Sequence, residues 1–286
     1  GGWIIDLDIQ SFFDDVAWGH LRSFLGRRVR DGVIRRAIGK WLNAGVMVSG
    51  EVSHPDRGTP QGGVVSPLLS NLYLHEVLDV WFEHEVKPRL AGRAFEVRFA
   101  DDVALVFERE EDARRVLAVL SKRFAKYGLC LHPEKTRLVD FRSPPRTGRG
   151  GSQGERSFEL LGFSHFWGRS RKGRWVVKRK TAKDRFTRAL REVGRWCRAY
   201  RHWPVAAQQA ALRRKLQGHY AYYGITGNGR ALARFLYEVR RLWRKWLHRR
   251  SWHGRMTWEK FGRLVARYPL PQPRVVHSIY RRAATP

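Results

Sequence analysis

Two adjacent aspartates, Asp101 and Asp102, interrupt the apolar run 97–107. Such a run is typical of a strand that buries at least one face, where an unpaired charge is strongly disfavoured. We therefore predict a β-hairpin whose tight turn lifts both carboxylates out of the apolar surroundings, where divalent cations can neutralise them. Enzymes that transfer phosphoryl or nucleotidyl groups by a two-metal mechanism bind two hard cations about 4 Å apart on shared carboxylates. The alternative is an ordinary Asp-Asp turn between two strands, because such dipeptides are common in turns.

A further pair of acidic residues lies near the start of the chain. Segment 3–9 alternates and is rich in β-branched residues, so it is predicted to be a strand. Asp6 and Asp8 are two residues apart and therefore point to the same face of that strand. Between this strand and the Asp101 hairpin, a Gly/Pro-rich turn at 57–63 precedes an apolar helical stretch over 68–82.

Five segments resemble, in order, the palm motifs of reverse transcriptases. They are Asp8 with Phe13, then 58–71, Phe99-Ala100-Asp101-Asp102, 128–136 and 158–163. The group II intron reverse transcriptase/maturase is the most similar subgroup. The sequence Gly-Thr-Pro-Gln-Gly-Gly-x-x-Ser-Pro-Leu-Leu-Ser-Asn over 58–71 indicates it, as does the basic helical C-terminal half. One departure is Phe99, where the family more often has Tyr.

The resemblance implies a metal site and groups around it. Asp8, Asp101 and Asp102 would hold two Mg²⁺ ions, with Ile9 contributing to both the metal and the nucleotide contacts. An all-oxygen site that keeps waters and substrate phosphates suits Mg²⁺. Lys135 would lie near the departing pyrophosphate as proton donor or charge stabiliser; the alternative is a solvated surface lysine.

Asp6 competes with Asp8 for the ligand role, and the spacing to Phe13 favours Asp8. Asp6 would then either contact a metal ligand without binding the metal itself or lie at an exposed strand end.

The resemblance also implies residues that would contact the substrate or the primer. Phe13 would lie beneath the sugar of the incoming nucleotide and clash with a 2′-hydroxyl; the alternative is a core phenylalanine. Gln61 and Gly62 would lie against the nascent base pair, where a missing side chain permits close approach. Their alternative is an ordinary turn before a helix. The primer grip would consist of Leu161, Gly162 and Phe163.

Charge is distributed unequally along the chain. The formal net charge is +30, and residues 169–286 hold 32 Lys and Arg against 4 Asp and Glu, whereas residues 1–168 hold 24 against 22. We therefore predict that the near-neutral half contains the catalytic carboxylates and that the basic half binds nucleic-acid phosphates. Seven of the twelve Trp residues also lie in the basic half. Aromatics among arginines can stack on unpaired RNA bases, although core packing is the alternative for each ring.

We predict an α+β fold in which a right-hand polymerase palm, mixed α/β with an antiparallel sheet, precedes an all-α basic helical bundle. The predicted domains are the palm at 1–168, a thumb/maturase region at 169–250 and a basic extension at 251–286. Segments 129–141 and 158–166 are predicted strands, and Glu110–Tyr127 is predicted to be an amphipathic helix that Gly128 terminates. Three apolar stripes, within 186–200, 212–223 and 232–247, predict three further helices, and one short helix is expected in 252–279.

The expected function is RNA-directed DNA polymerisation of the group II intron type, combined with maturase activity that assists intron splicing and mobility. The expected partners are an RNA template such as the intron RNA, a DNA primer or target, and dNTPs. A non-catalytic RNA-binding maturase and a domesticated or defence-associated reverse transcriptase remain the alternatives. We expect no membrane segment and a cytoplasmic location. The chain starts with Gly and lacks the family's fingers region, so we expect it to be incomplete.

Overall fold

The computed structural model describes residues 2–44, 46–48, 51–53, 56–59, 63–144, 156–170, 172–251 and 255–278. The chain divides into two compact units, Gly1–Leu161 and Gly162–Pro286. Each unit has a buried apolar core of its own. Among the described residues, none of the helices combines the length and the apolar character that crossing a bilayer requires.

The first unit contains nine strands and five α-helices among its described residues. The strands are β1 (Trp3–Leu7), β2 (Ile9–Gln10), β3 (Val46–Val48), β4 (Glu51–Ser53), β5 (Ala94–Phe99), β6 (Asp102–Phe107), β7 (Cys130–Leu131), β8 (Arg137–Asp140) and β9 (Ser157–Leu160). The α-helices are α1 (Phe12–Asp15), α2 (Trp18–Arg28), α3 (Gly32–Leu42), α4 (Ser66–Leu74) and α5 (Glu110–Lys126).

The main sheet of the first unit has the strand order β5-β6-β1-β8 and is antiparallel throughout. Strand β1 lies inside the sheet, and its register against β6 runs from Trp3 opposite Phe107 to Leu7 opposite Val103. One face of β1 carries Trp3, Ile5 and Leu7, which are buried in the core of this unit. Asp6 lies on the other face, because successive strand residues alternate.

The predicted hairpin around the aspartate pair is present. Strands β5 and β6 pair from Ala94 opposite Phe107 to Phe99 opposite Asp102, which leaves Ala100 and Asp101 as a two-residue turn. Asp102 is therefore the first residue of β6 rather than part of the turn tip. Ala100 has a φ of 55°, a left-handed conformation that is uncommon outside glycine.

Two predicted strands are each interrupted. Segment 129–141 forms β7 and β8, because residues 133–135 make a turn that begins with Pro133. Segment 158–166 is broken after Leu160, where Leu161 and Gly162 adopt φ values of 55° and 70°. Two consecutive positive φ values are those of a type I′ turn, so the apolar run does not form one continuous strand.

The predicted helix over 68–82 is longer than expected and irregular. After α4 the chain continues through π-helical turns at His75–Asp79 and Phe82–Val86 to a short 3₁₀ turn at Lys87–Arg89. The predicted helix Glu110–Tyr127 is confirmed as α5, and Gly128 follows it with a φ of 72°. Strands β3 and β4 were not predicted.

The second unit consists of two strands and four α-helices among its described residues. They are β10 (Phe163–Arg169), β11 (Trp175–Thr181), α6 (Lys183–Ala199), α7 (Val205–Tyr223), α8 (Gly229–His248) and α9 (Trp258–Arg267). Strands β10 and β11 pair in antiparallel fashion, and β11 was not predicted. The three apolar stripes and the short late helix are confirmed as α6 to α9. Buried side chains of these helices form one core, in which Phe261 of α9 lies 5.7 Å from the ring of Trp243.

The α+β fold class is therefore confirmed. The compact units divide at Leu161, and the domain boundaries after 168 and 250 stay predictions.

Candidate active site

Asp8 lies between β1 and β2, and the loop between β7 and β8 holds its backbone. Its carbonyl oxygen accepts a hydrogen bond from the His132 amide at 2.9 Å, and its amide donates to Thr136 Oγ1 at 3.3 Å. The side chain of Asp8 is 43% exposed, and Lys135 Nζ lies 3.0 Å from its Oδ2. Asp8 is thus fixed at its backbone and open at its carboxylate, with a cation beside it.

Asp8 and Asp102 lie at the ends of neighbouring strands. The register of β1 with β6 ends at Leu7 opposite Val103, so continuing it by one residue would set Asp8 opposite Asp102. Residues directly opposite each other in an antiparallel pair project to the same face. Phe99, which pairs with Asp102, shares that face and is 69% exposed. Asp101 is exposed in the adjoining turn.

These residues fit Mg²⁺ in their chemistry, because carboxylate oxygens at two neighbouring strand ends form the hard donor set that this ion prefers. In the part of the chain that the structure describes, no three His, Cys, Asp or Glu side chains are grouped closely enough to hold a metal ion. The convergence of Asp8, Asp101 and Asp102 on two ions therefore stays a prediction. Ile9 is buried in the core, so a contact with metal or nucleotide would involve its main chain.

Asp6 is bound by the protein itself. Its side chain is only 15% exposed, and its Oδ2 lies 3.4 Å from Arg137 Nη2 and accepts a hydrogen bond from the Glu159 amide at 3.3 Å. Burial raises the pKa of Asp6 to about 6, although these partners oppose the shift. Asp6 is therefore not an exposed strand end, and its contacts join β1 to β8 and β9.

Phe13 lies beside the segment that carries the glycine-rich motif. Its ring is partly buried against the core of the first unit, 5.3 Å from the ring of Phe12. Its carbonyl oxygen accepts a hydrogen bond from the Thr59 amide at 2.7 Å. The structure thus brings Thr59 to the segment after Asp8. Gln61 and Gly62 lie outside the described residues.

Gly58 allows this contact because a side chain has no space there. Its φ is 84°, and an added Cβ would lie 2.7 Å from the carbonyl oxygen of Asp14. Its amide donates to Val16 O at 2.8 Å, and Trp18 Nε1 donates to Gly58 O at 2.6 Å. Gly58 therefore packs its backbone directly on the segment that follows Phe13.

The predicted primer-grip residues differ in how far they are buried. Leu161 and Gly162 form the positive-φ turn described above, and both are half-buried. The side chain of Phe163 is buried, with its ring 5.9 Å from Tyr222 and 5.3 Å from Tyr223. Phe163 is therefore a packing residue of the second unit, and a primer contact would fall to the turn itself.

Sequence reasoning missed a polar cluster on the core side of β5. Arg98 bonds both carboxylate oxygens of Asp79 at 2.6 Å, and Glu96 and His75 also bond Asp79. Burial raises the pKa of Glu96 to about 8, and the hydrogen bond with Asp79 acts in the same direction. The available signal was two charged residues, Glu96 and Arg98, at alternate positions of an otherwise apolar strand.

The tryptophans of the second unit range from fully buried to more than half exposed. Trp243 is fully buried, and its Nε1 donates to Gln208 Oε1 at 2.8 Å. Trp203 and Trp258 are 46% and 55% exposed. Arg244 lies 4.0 Å above the ring of Trp258. Core packing thus accounts for Trp243, whereas Trp258 lies beneath an arginine and Trp203 is partly exposed at the surface.

A family model described as reverse transcriptase (RNA-dependent DNA polymerase) matches residues 2–165. This match covers the acidic strand ends, the Lys135 loop and the positive-φ turn. The chain belongs to the reverse transcriptase family.

Several relatives are named after introns, in agreement with the group II intron subgroup that the motifs indicated. The group II intron-encoded protein LtrA of Lactococcus lactis is 30% identical over 131 residues, which are 42% of this chain and 22% of LtrA. An uncharacterised 91 kDa protein in the cob intron of Schizosaccharomyces pombe is 38% identical over 82 residues, covering 29% of this chain and 10% of that protein. The chain thus spans less than a quarter of either relative.

Among solved structures, telomerase from Candida albicans in complex with a fragment of telomeric RNA aligns with 92% of this chain and 46% of its own chain. The TM-score is 0.44 and the sequence identity 14%.

Proposed function

We propose that this protein is an RNA-directed DNA polymerase of the group II intron type that also binds intron RNA as a maturase. The observation that carries the proposal is the register of β1 with β6, which ends at Leu7 opposite Val103, so that Asp8 follows the last paired residue of β1 and Asp102 begins β6 next to the turn that contains Asp101. This register supports a site in which acidic side chains from two distant segments would meet at one edge of the sheet. Family membership supports the reaction class.

The reaction joins a primer 3′-hydroxyl to the α-phosphorus of an incoming dNTP and releases pyrophosphate. Asp8, Asp101 and Asp102 would hold two Mg²⁺ ions, which when bound supply acidification of the hydroxyl and neutralisation of the departing phosphates. The chain's own task is to hold these carboxylates and the two substrates in line. The four backbone and side-chain bonds between Asp8 and the segment 132–136 support this role.

Lys135 is the proposed cation for the developing pyrophosphate charge. Its ammonium lies 3.0 Å from Asp8 and is 62% exposed, so it can turn from the carboxylate towards a phosphate without leaving a buried site. This supports a role beside the triphosphate, as charge stabiliser or proton donor.

Phe13 is the proposed sugar gate. Its backbone is fixed by Thr59, and its ring rests on Phe12 and the core, so a substrate cannot easily displace it. An apolar ring at this position offers no partner for a 2′-hydroxyl. We keep Gln61 and Gly62 as the proposed contacts of the nascent base pair.

The second unit is the proposed RNA-binding part. Its 32 Lys and Arg face only 4 acidic residues, and a surplus of that size attracts phosphates strongly. Exposed rings such as Trp203 and Tyr237 can stack on unpaired bases. Intron RNA is the proposed ligand, because a group II intron-encoded protein is 30% identical to this chain over 131 residues.

The test is primer extension by the purified protein on an RNA template with a DNA primer, dNTPs and Mg²⁺. The wild type should extend the primer, and Asp8→Asn or Asp102→Asn should lower the rate by about 10³-fold or more. Asp140→Asn is the control, because Asp140 pairs with Trp3 at the opposite end of the same sheet.

If the wild type binds RNA but never extends the primer, the non-catalytic maturase is the correct alternative. Extension that survives Asp8→Asn would contradict the ligand assignment. An intron ribozyme flanking the gene separates the intron-encoded protein from a domesticated or defence-associated one.

A further inference from the structure

Arg98 occupies an unusual position directly before the catalytic turn. It lies in β5 next to Phe99, and it projects to the core face because successive strand residues alternate. Its side chain is only 13% exposed. A guanidinium buried to this extent needs partners for its charge and for its N–H groups.

Asp79 supplies the charge partner. Arg98 Nε and Nη2 donate to Asp79 Oδ1 and Oδ2, both at 2.6 Å, which is the two-pronged geometry that Arg and carboxylate form best. Burial acts to raise the pKa of Asp79, but the charge of Arg98 and the hydrogen bonds with Arg98, Glu96 and His75 together outweigh it, and the pKa lies below its ordinary value. The pair is therefore ionised and rigid, and it fixes the guanidinium plane against the π-helical turn His75–Asp79.

The remaining terminal nitrogen of Arg98 joins two further groups. Nη1 donates to the carbonyl oxygen of Ala100 at 3.1 Å and to Asn71 Oδ1 at 3.0 Å. One guanidinium thus links the turn before Asp101 to helix α4.

The Ala100 carbonyl is an effective point at which to fix the turn. It belongs to the planar peptide that leads into Asp101, so its direction sets the orientation of the Asp101 backbone. Ala100 itself has a φ of 55°, a conformation that an alanine does not adopt without support. The bond from Arg98 provides such support.

Helix α4 extends the same chain of contacts to the other half of the site. Ser70, next to Asn71, lies 3.3 Å from Thr59 through their hydroxyl oxygens, and the Thr59 amide donates to Phe13 O. Consecutive residues of one helix therefore contact the Asp101 side and the Phe13 side.

We propose that Arg98 is a positioning residue that orients the Ala100–Asp101 peptide relative to α4, with Asn71 as its anchor on the helix. This inference rests on the proposed polymerase function. Arg98 contacts no substrate; it acts through the turn. Its loss should affect the rate of the chemical step more than the binding of dNTP.

Arg98→Lys is the main test, because a lysine keeps the charge beside Asp79 but lacks the fork that reaches Ala100 and Asn71 together. We expect the single-turnover rate of nucleotide addition to fall about 10²-fold, with the KM for dNTP changed by about twofold or less. Asn71→Ala removes only the anchor at an exposed position and should lower the rate by less, in the same direction.

Arg123→Lys is the matched control. Arg123 also holds the helical segment after α4, with bonds from its guanidinium to Val77 O at 2.9 Å and Glu76 O at 3.3 Å. Within the part of the chain that the structure describes, its hydrogen bonds go to that segment and not to the turn at Ala100. Its replacement should lower the melting temperature and leave the rate per folded molecule near that of the wild type.

Amide hydrogen exchange over residues 99–103 gives a readout independent of activity. Arg98→Lys should exchange faster there than the wild type, and Arg123→Lys should not. Equal rates and equal exchange in Arg98→Lys and Arg123→Lys would overturn the inference. If the wild type does not extend a primer, the proposed function fails, and the exchange result alone decides whether Arg98 holds the turn.

Discussion

The two units of this protein differ in how much of their positive charge is balanced by carboxylates. In the first unit arginines bind partly buried carboxylates, as Arg98 binds Asp79 and Arg137 binds Asp6. In the second unit 32 Lys and Arg stand against 4 Asp and Glu, and some arginines lie over rings, as Arg244 lies over Trp258. Positive charge in the first unit therefore helps to hold its fold together, whereas most of the positive charge of the second unit has no carboxylate of that unit to balance it. This difference predicts which substitutions change folding and which change binding.

The largest effect on stability is expected from the core of the basic unit. Trp243→Ala removes a fully buried ring and its bond to Gln208, and should lower the free energy of unfolding by about 3–5 kcal/mol. Urea denaturation measures this loss. RNA affinity, corrected for the folded fraction, should stay unchanged.

Trp203→Ala is its counterpart on the surface. Trp203 is 46% exposed, so stability should change by less than about 1 kcal/mol. Binding of single-stranded RNA should weaken by about 1–3 kcal/mol if a base stacks on this ring. Equal RNA binding by the wild type and Trp203→Ala would remove this ring from the proposed surface.

A smaller loss of stability is expected at Gly58 in the first unit. Gly58→Ala forces a Cβ to 2.7 Å from Asp14 O at a φ of 84°, and should cost about 1–3 kcal/mol. Gly173→Ala is the control, because Gly173 has a φ of 74° but open space around it. Thermal melts should show the larger loss for Gly58→Ala. A similar loss in both variants would mean that backbone strain, and not the contact with Asp14, requires glycine.

The arginines of the two units should also differ in the salt dependence of RNA binding. The double variant Arg188→Gln/Arg191→Gln removes two exposed charges of α6 and should reduce the slope of log affinity against log salt by about 1–2. Arg114→Gln in the first unit should leave the slope unchanged, because Arg114 pairs with Glu110 at 2.7 Å. Identical slopes in all three proteins would contradict the division of roles.

A dependence of stability on pH is also expected from a buried carboxyl of the first unit. Burial raises the pKa of Glu96 to about 8 from 4.5, so the folded state holds a proton that the unfolded state releases. Stability from this group is complete below about pH 4.5 and is lost as pH rises through about 8. Glu96→Gln should flatten the fall in unfolding free energy over that window. Glu108→Gln should not, because hydrogen bonds from Arg93 lower the pKa of that exposed group.

Local sequence patterns were sufficient to predict the helices and turns whose formation depends on residues close by in the chain. The Asp101 hairpin, helix α5 with its terminating Gly128 and the stripes of α6 to α8 all follow from periodicity and turn chemistry. The break after Leu160 was missed because apolar residues continue across it, and only the positive φ values of Leu161 and Gly162 reveal it. The break after Leu131 falls in the polar segment 132–136, where Pro133 was the available signal.

The contacts between distant segments could not be read from the sequence. The ion pair of Lys135 with Asp8 depends on the pairing of β2 with β7, and the bonds of Arg98 depend on where a helix passes beneath β5. Family resemblance supplied Lys135 as a candidate, but no motif indicated Asp79. Polar residues inside apolar strands, such as Asp6 and Arg98, were the visible signal that such partners exist.

The proposed chemistry depends on the binding of two divalent ions by Asp8, Asp101 and Asp102 together. Counting the Mn²⁺ ions bound by the protein in complex with an RNA template, a DNA primer and a non-hydrolysable dNTP analogue tests this binding. We expect two ions for the wild type and for Asp140→Asn, and fewer for Asp8→Asn and Asp102→Asn. An unchanged number of bound ions in Asp8→Asn would contradict this expectation.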